Sequence, residues 1–480
     1  MSDSNRVAVR FVEESTLGTT PASPAFFDLR YTGAPSLAFA PETVTSEEIR
    51  SDRQVTDLIL VGGSTEGELN FEKSFGAKDR IYESLFFSAF QARLSKVNGE
   101  GATQITAVDA DSYTVTAGAV LVLNDLIRAE GFTNAANNGF KVINTGTTAT
   151  DLLIVGAGLT VETSPPVTAR IHHVGRRGAT GDLVAATGPN RVTSTVLDFT
   201  TLGLQVGDWV KLAGFAITPA NNDFVRISAI TATALTLDVV PTGWAADAGT
   251  GVQVSIYFGE RLVNGVTRKS FTIEEEFGDH SPVTYQYLRG MVPDSYSLSA
   301  ASQQVVTETI GFLGLNATFQ DSGRIAGATT LASRTNSVVN ASSNVGRIAL
   351  GGSAVVGSNF VTELVLEIAN GLRELRAIGT LSAVNIGAGR FELTGSLNTY
   401  FDNKATALAV VQNTKTSIDF RLTDDASHVY LWDLPRVKFS EGAPEVPGIN
   451  TDVVLNPGFQ AFMHETLGYT AKLIRFHGVQ

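Results

Sequence analysis

Apolar and polar residues alternate in short runs along most of the chain. Ser112–Thr116, Val225–Ile230, Ala234–Val239, Val252–Phe258, Ser270–Phe277, Phe360–Ile368 and Ser417–Leu422 are rich in Val, Ile, Thr, Leu and Phe. Gly, Asn, Asp and Ser separate such runs at intervals of about 8–12 residues, the rhythm of a mainly β protein. Only AKDRIYESLFFSAFQAR, Ala77–Arg93, has a convincing helical period. Ile81, Leu85, Ala89 and Phe90 recur on one stripe and Phe86 widens it, which predicts a single helix laid over a sheet. Ser74 or Lys78–Asp79 is its expected start, and Asn98–Gly99 lies beyond its end.

Period-2 patterning assigns faces to three strands. In Ser270–Phe277, Phe271, Ile273, Glu275 and Phe277 share one side, and Thr272, Glu274 and Glu276 the other. Glu275 on the apolar side requires a sheet edge or a partner. In Gly67–Lys73, Glu68, Asn70 and Glu72 oppose Leu69 and Phe71. In Ser417–Thr423, Asp419 and Arg421 oppose Ile418, Phe420 and Leu422. Half-buried antiparallel strands in general show this division.

The chain repeats itself internally. NDLIRAEGFTNAANNGFKV (Asn124–Val142) parallels GDWVKLAGFAITPANNDFVRI (Gly207–Ile227). Asp125 matches Asp208, and Gly131-Phe132 matches Gly214-Phe215. After a one-residue insertion, Asn137-Asn138 matches Asn221-Asn222 and Phe140 matches Phe224. Gly175 and Arg177 then match Gly259 and Arg261. Register held this far predicts two tandem β modules, 98–179 and 180–261, each with a small core. They interrupt a parent domain, 1–97 plus 262–480, at a loop tip, where insertions are tolerated. Trp209, Phe215, Phe224 and Trp244 are expected in the module core.

Composition narrows the chemistry. Charged residues are 17 % against 43 % hydrophobic, so the bulk folds. With 35 basic and 48 acidic residues the net charge is −13, which argues against a general nucleic-acid binder. No cysteine is present, which removes disulfides, thiolate zinc and a cysteine nucleophile. The start, MSDSNRVAVRFVEEST, carries no export signal, and no apolar stretch is long enough for a membrane span. His172, His173, His280, His428, His464 and His477 are scattered, and His172-His173 on a strand point to opposite faces. Asp109-x-Asp111 lacks the rest of a calcium loop. Val61-Gly62-Gly63-Ser64-Thr65 lacks the phosphate-loop lysine, and no G-x-S-x-G elbow occurs. No enzyme activity, cofactor or metal is expected.

Four segments, in order, resemble the major tail tube protein of long-tailed, siphovirus-type bacteriophages. They are SDRQVTDLILVGGSTEGELNFEKSF (Ser51–Phe75) with the helix that follows, KSFTIEEEFGD (Lys269–Asp279) with YQYLRGMVPDSYSLSA (Tyr285–Ala300), IGTLSAVNIGAGRFELTGSLNTYFDN (Ile378–Asn403), and TSIDFRLTDDASHVYLWDLPRVKF (Thr416–Phe439). The resemblance covers about two thirds of the chain. Arg324–Phe360 has no counterpart.

The resemblance implies a tail-tube-type β-sandwich or barrel parent domain with one packing helix. It implies homohexameric rings stacked into a tube, with tape-measure, terminator and distal tail proteins as partners and phage DNA in unspecific transit. The virion tail, assembled in the host cytoplasm, is the implied location. Within that frame Glu68, Glu72, Thr272, Glu274, Glu276 and Asp419 are expected to face the lumen, since carboxylates give a polyanion no counterion-release gain. Glu47, Glu48, Arg50, Asp52 and Arg53 are expected at ring-to-ring contacts, with the N-terminal arm and the tail after Pro447 as further contact candidates. The modules are expected outside the tube, where they are positioned to meet a host surface and would collide with a contractile sheath. The alternatives are an adhesin-like surface protein of β modules and the tube of a contractile tail.

Overall fold

The computed structural model describes residues 3–354, 361–401, 408, 411–446 and 448–480. Phe360, Asn403 and Pro447 lie outside the described residues. The protein is mainly β, with 47 % of residues in strands and 5 % in helix. The strands of Val7–Glu72 and Glu260–Phe476 form one continuous, curled sheet, apart from the small hairpin Arg373–Leu375/Asn385–Gly387, and those of Ser95–Phe258 form separate sheets.

The long strand Thr284–Ala301 organises the first of these. Its first half pairs with Ser270–Phe277 and Asn316–Gln320. Its second half pairs with Thr307–Gly314 and Val361–Ala369. The change of partner occurs at Gly290, whose φ of +69° no ordinary residue adopts cheaply, and a Cβ there would meet Leu315 at 2.6 Å. From the second half the sheet runs one way through Thr307–Gly314 and Leu58–Glu72 to Ala38–Thr45. It runs the other way through Val361–Ala369, Glu392–Tyr400 and Gly458–Ala461 to Val429–Glu441, then to Thr416–Thr423 and Lys472–Phe476.

The curl brings the middle of this path face to face with its Val429–Glu441 end. Tyr296 from one flank stacks on Trp432 from the other, with ring centroids 6.0 Å apart. Leu69, Phe71, Leu298, Leu364 and Leu366 join Phe420, Leu434 and Leu473 in one core. Arg324–Phe360, which the resemblance left without a counterpart, supplies Thr329–Leu331, parallel to Ala25–Asp28, and Val345–Leu350, paired with Thr416–Thr423.

The helix is shorter than its periodicity predicts. It spans Asp79–Leu85, with Lys78 at the N-cap, and ends in a Schellman-type closure. The Phe87 N–H donates to the Ser84 carbonyl, the Ser88 N–H to that of Glu83, and Phe87 takes φ +50°. Ile81, Leu85, Phe86 and Phe90 are buried as the stripe requires, but Phe90 reaches the core from extended chain and Ala89 is exposed. The Phe90 N–H donates to the Glu83 carboxylate, which holds that exit.

The repeat has a physical counterpart. Asn138 and Asn222 accept from the backbone of Phe132 and Phe215 and donate back to the same residues. Asn137 and Asn221 bridge to Thr160 and Ala245 in the same reciprocal way. Asp125 and Asp208 accept from the N–H three residues earlier. Each repeat has its own apolar core, around Ile127 and Ile171 in the first and Val210 and Ile256 in the second, and the two share a sheet. Arg170–Arg177 of the first pairs with Ser255–Phe258 of the second, so one ten-stranded sheet crosses both.

This sheet also packs against the curled sheet. Leu126, Val174, Trp209 and Tyr257 pack with Val429, Leu431, Ile474 and Phe476 of the curled sheet in a shared apolar cluster. Lys472–Asp208 at 2.9 Å, Arg421–Asp223 at 2.6 Å, Arg226–Asp433 at 3.2 Å and His428–Glu130 at 2.7 Å flank it. Phe215, Phe224 and Trp209 are buried, and Trp244 packs partly buried on the second-repeat core.

Candidate functional surface

Five neighbouring strands expose one polar face. The antiparallel registers place Asn70 opposite Thr309, Thr309 opposite Ser297, Ser297 opposite Glu367, and Glu367 opposite Thr394. One step along, Glu72, Thr307, Ser299, Val365 and Ser396 form the next row, and Glu68, Gly311, Ser295, Ala369 and Glu392 the row beyond. Directly opposed residues share a face, so Glu68, Glu72, Glu363, Glu367 and Glu392 lie on one side of the sheet. Leu58–Glu72, Thr307–Gly314, the second half of Thr284–Ala301, Val361–Ala369 and Glu392–Tyr400 contain no Lys or Arg at all. Glu363 accepts from Asn398 at 3.1 Å, and Glu392 pairs with Arg390, at the sheet margin, at 2.6 Å. Among the described residues Glu68, Glu72 and Glu367 have no ion-pair partner. Among the described residues these five strands offer fixed negative charge, serine and threonine hydroxyls, and no cation.

Of the residues predicted to line such a surface, the structure places Glu68 and Glu72 on it, exposed. It places the other four elsewhere. Glu274 is fully buried, with Arg10, from the neighbouring strand Val7–Glu14 of the same sheet, and Arg324 lying against it on that side of Ser270–Phe277. Its carboxylate takes Arg10 at 3.1 Å and Arg324 at 2.7 Å. Glu276 is partly buried on the same Arg10. Thr272 is buried and donates to Glu14 at 2.8 Å. Asp419 is buried beneath the module sheet, 3.0 Å from the Arg347 guanidinium, and desolvation beside Asp433 pushes its carboxyl up to about 6. Glu275, the misfit on the apolar side, is buried too, and desolvation pushes it up to about 7.

Sequence patterning missed Glu363, Glu367 and Glu392. The signal was present in VTELVLEIA, where Leu364, Leu366 and Ile368 alternate with Glu363, Val365 and Glu367. What could not be read is that this strand lies in the same sheet as Glu68, with two strands between them.

A second surface is apolar. The hairpin Ala38–Thr45/Leu58–Glu72 runs out beyond the core. Leu58, Ile59, Leu60 and Val61 are each 45–62 % exposed, so both faces of the strand are bare there. Val44, Ile49 and Val55 add to the tip, and the outer edge of Ala38–Thr45 is unpaired among the described residues. Glu47, Glu48, Arg50, Asp52 and Arg53 are exposed together in the turn, where Arg50 clamps Asp52 in a two-pronged ion pair. The small hairpin Arg373–Leu375/Asn385–Gly387 stands beside it, tied by Arg376 to Glu42 at 2.7 Å, and exposes Ile378, Leu381 and Val384. Contiguous bare apolar surface of this kind marks a contact site.

Three of the dispersed histidines converge. His172 stacks on His477 with centroids 3.7 Å apart, and Phe75 stacks on His428 at 4.5 Å. Burial holds His172 and His477 well below the usual imidazole range. Burial works the same way on His428, but its hydrogen bonds to Asp424 and Glu130 prevail and raise it to about 9. Among the described residues no group of His, Asp and Glu is arranged to hold a metal ion. No helix among them is long and apolar enough to cross a membrane.

A family model described as phage tail tube protein matches the chain twice, over residues 4–222 and 194–471. No curated protein matches it.

Proposed function

The chain belongs to the phage tail tube protein family and is a structural, β-rich component of the virion tail, and from that premise we propose how it builds and lines the tube. Copies close into six-membered rings that stack, and the cation-free face turns toward the central channel. The observation that carries this reading is the placement of two surfaces across one core. Tyr296 and Leu298 lie beneath the carboxylate face, Trp432 and Leu434 lie beneath the module-bearing face, and both sets meet in the same cluster. A tube wall has this order: an inner face hostile to polyanions, a core, and an outer face free to carry extra domains.

DNA is held in such a channel without being bound. Glu68, Glu72, Glu363, Glu367 and Glu392 repel phosphate and leave no counterion release to stabilise a contact. The bare hairpin supplies the contacts between copies. Its unpaired edge and exposed Leu58–Val61 are a liability in a monomer and are covered in a ring or between rings. The turn Glu47–Arg53, with charges of both signs, is suited to reach the adjoining ring. Modules on the outer flank suit a flexible, non-contractile tail, since a sheath would collide with them. Tape-measure, terminator and distal proteins are the expected tail partners.

The experiment is a charge reversal. Phage carrying Glu68→Lys with Glu367→Lys is expected to assemble tails of normal length by negative-stain microscopy, yet to lose genome delivery by at least about 10-fold. Normal delivery from such tails would remove this face from the channel.

A further inference from the structure

A second, enclosed site lies away from both surfaces. A cavity of about 280 Å³ opens between the first turn of the helix, the strand Ser95–Val97, the strand Arg170–Arg177 and the loop Ala332–Arg334. Most charges around it are spoken for. Asp79 takes Arg475 at 2.6 Å, Glu83 takes Lys269 at 2.7 Å, and Asp28 takes Arg10 at 2.6 Å. What remains is three guanidiniums around Glu100, while Glu13, the last carboxylate on the wall, stands 3.5 Å from the same Lys269. Arg80 and Arg334 share Glu100 at 3.5 and 3.4 Å, both long for a direct bond. Among the described residues Arg170 has no ion pair, and its buried Nε has no hydrogen-bond partner. The carboxylate opposite it, Glu130, is already engaged by Arg128 and His428.

His172 adds a neutral donor. It is 97 % buried and lines the cavity, and its Nε2 is unpartnered. Its Nδ1 lies 3.0 Å from the Ser95 hydroxyl; when that hydroxyl donates, the ring proton sits on Nε2. A buried, unpaired polar group costs stability unless something satisfies it. Desolvation, with the charge of Arg334 next, lowers Arg170 to about 10, which leaves it charged at neutral pH.

We infer that this cavity binds a small multivalent oxyanion of the phosphate class, held by Arg170, Arg334 and Arg80 with the His172 imidazole as a further donor. Planar guanidinium forks match tetrahedral oxyanions in charge and geometry. The anion bridges the first repeat, through Arg170 and His172, to the helix and the loop of the parent sheet, so it locks the module junction.

Inorganic phosphate is the probe, titrated calorimetrically into the full-length protein at fixed ionic strength. One saturable site per chain is expected, weakened at least about 10-fold by Arg170→Gln and by Arg80→Gln, the latter at the half-exposed mouth where folding is not at stake. Glu100→Gln removes the competing carboxylate and is expected to tighten binding several-fold, which a merely structural role would not produce. Arg390→Gln, an exposed arginine on the distant sheet margin, is expected to leave affinity unchanged. No saturable heat, or equal affinity in Arg80→Gln and the parent protein, would overturn the assignment.

Discussion

Glu308 sits beneath the helix with two lysines and two tyrosines around one carboxylate. Lys73 lies at 2.6 Å, Lys78 at 3.2 Å, and the Tyr82 and Tyr296 hydroxyls both donate at 2.7 Å. Burial alone would raise this carboxyl, but the lysine charges prevail and hold it at about 2. Removing one member of such a cluster strands the others, so Glu308→Gln is expected to cost about 3–5 kcal/mol, read from denaturant unfolding. The depressed value also fixes a sign: the contribution is full above the ordinary carboxylate range and is lost as pH falls toward 2. His428 runs the opposite way. Raised to about 9, it stabilises fully below about 6.5 and loses that contribution as pH climbs toward 9. The melting temperature is expected to fall across that interval, and His428→Gln to flatten the fall. Glu308 was open to discovery in the sequence, since it shares the core side of its strand with Ile310 and Phe312. Its lysine partners, more than 200 residues away, were not.

The elements divide by how local their determinants are. Ala234–Val239 and Ser270–Phe277 are strands with the limits their alternation predicts. The helix is cut short because Phe87 turns left-handed to close it, a choice the apolar stripe does not encode. The hairpin Ala38–Thr45/Leu58–Glu72 makes a prediction at its own scale. Leu60→Asp lies on bare surface, so unfolding free energy is expected to change by only about 0.5 kcal/mol. Tube assembly, followed by sedimentation and microscopy, is expected to stop. Loss of stability without loss of assembly would assign Leu60 to the core instead.

For the whole molecule, the modules matter more than an insertion at a loop tip would suggest. Deleting Asn98–Phe258 would strip the cover from Val429, Leu431, Ile474 and Phe476, each a large apolar side chain. The shortened protein is expected to aggregate on expression, and polar substitutions at Val429 and Leu431 are expected to restore some solubility. A soluble shortened chain without those substitutions would show that the shared cluster contributes little.

The sequence by itself determined the β class, a helix beginning at Asp79, the duplicated repeat and the polar side of each strand it could be split into. These are properties of neighbours in the chain, written as period and spacing. Which polar sides meet water was decided only by tertiary structure. The faces of Ser270–Phe277, Gly67–Lys73 and Ser417–Thr423 look alike in one dimension. Long-range contacts cover the first with Arg10 and Arg324 and the third with the module sheet. The second stays open on the same sheet face as Val361–Ala369, because strand order is set by contacts hundreds of residues apart that no local pattern records.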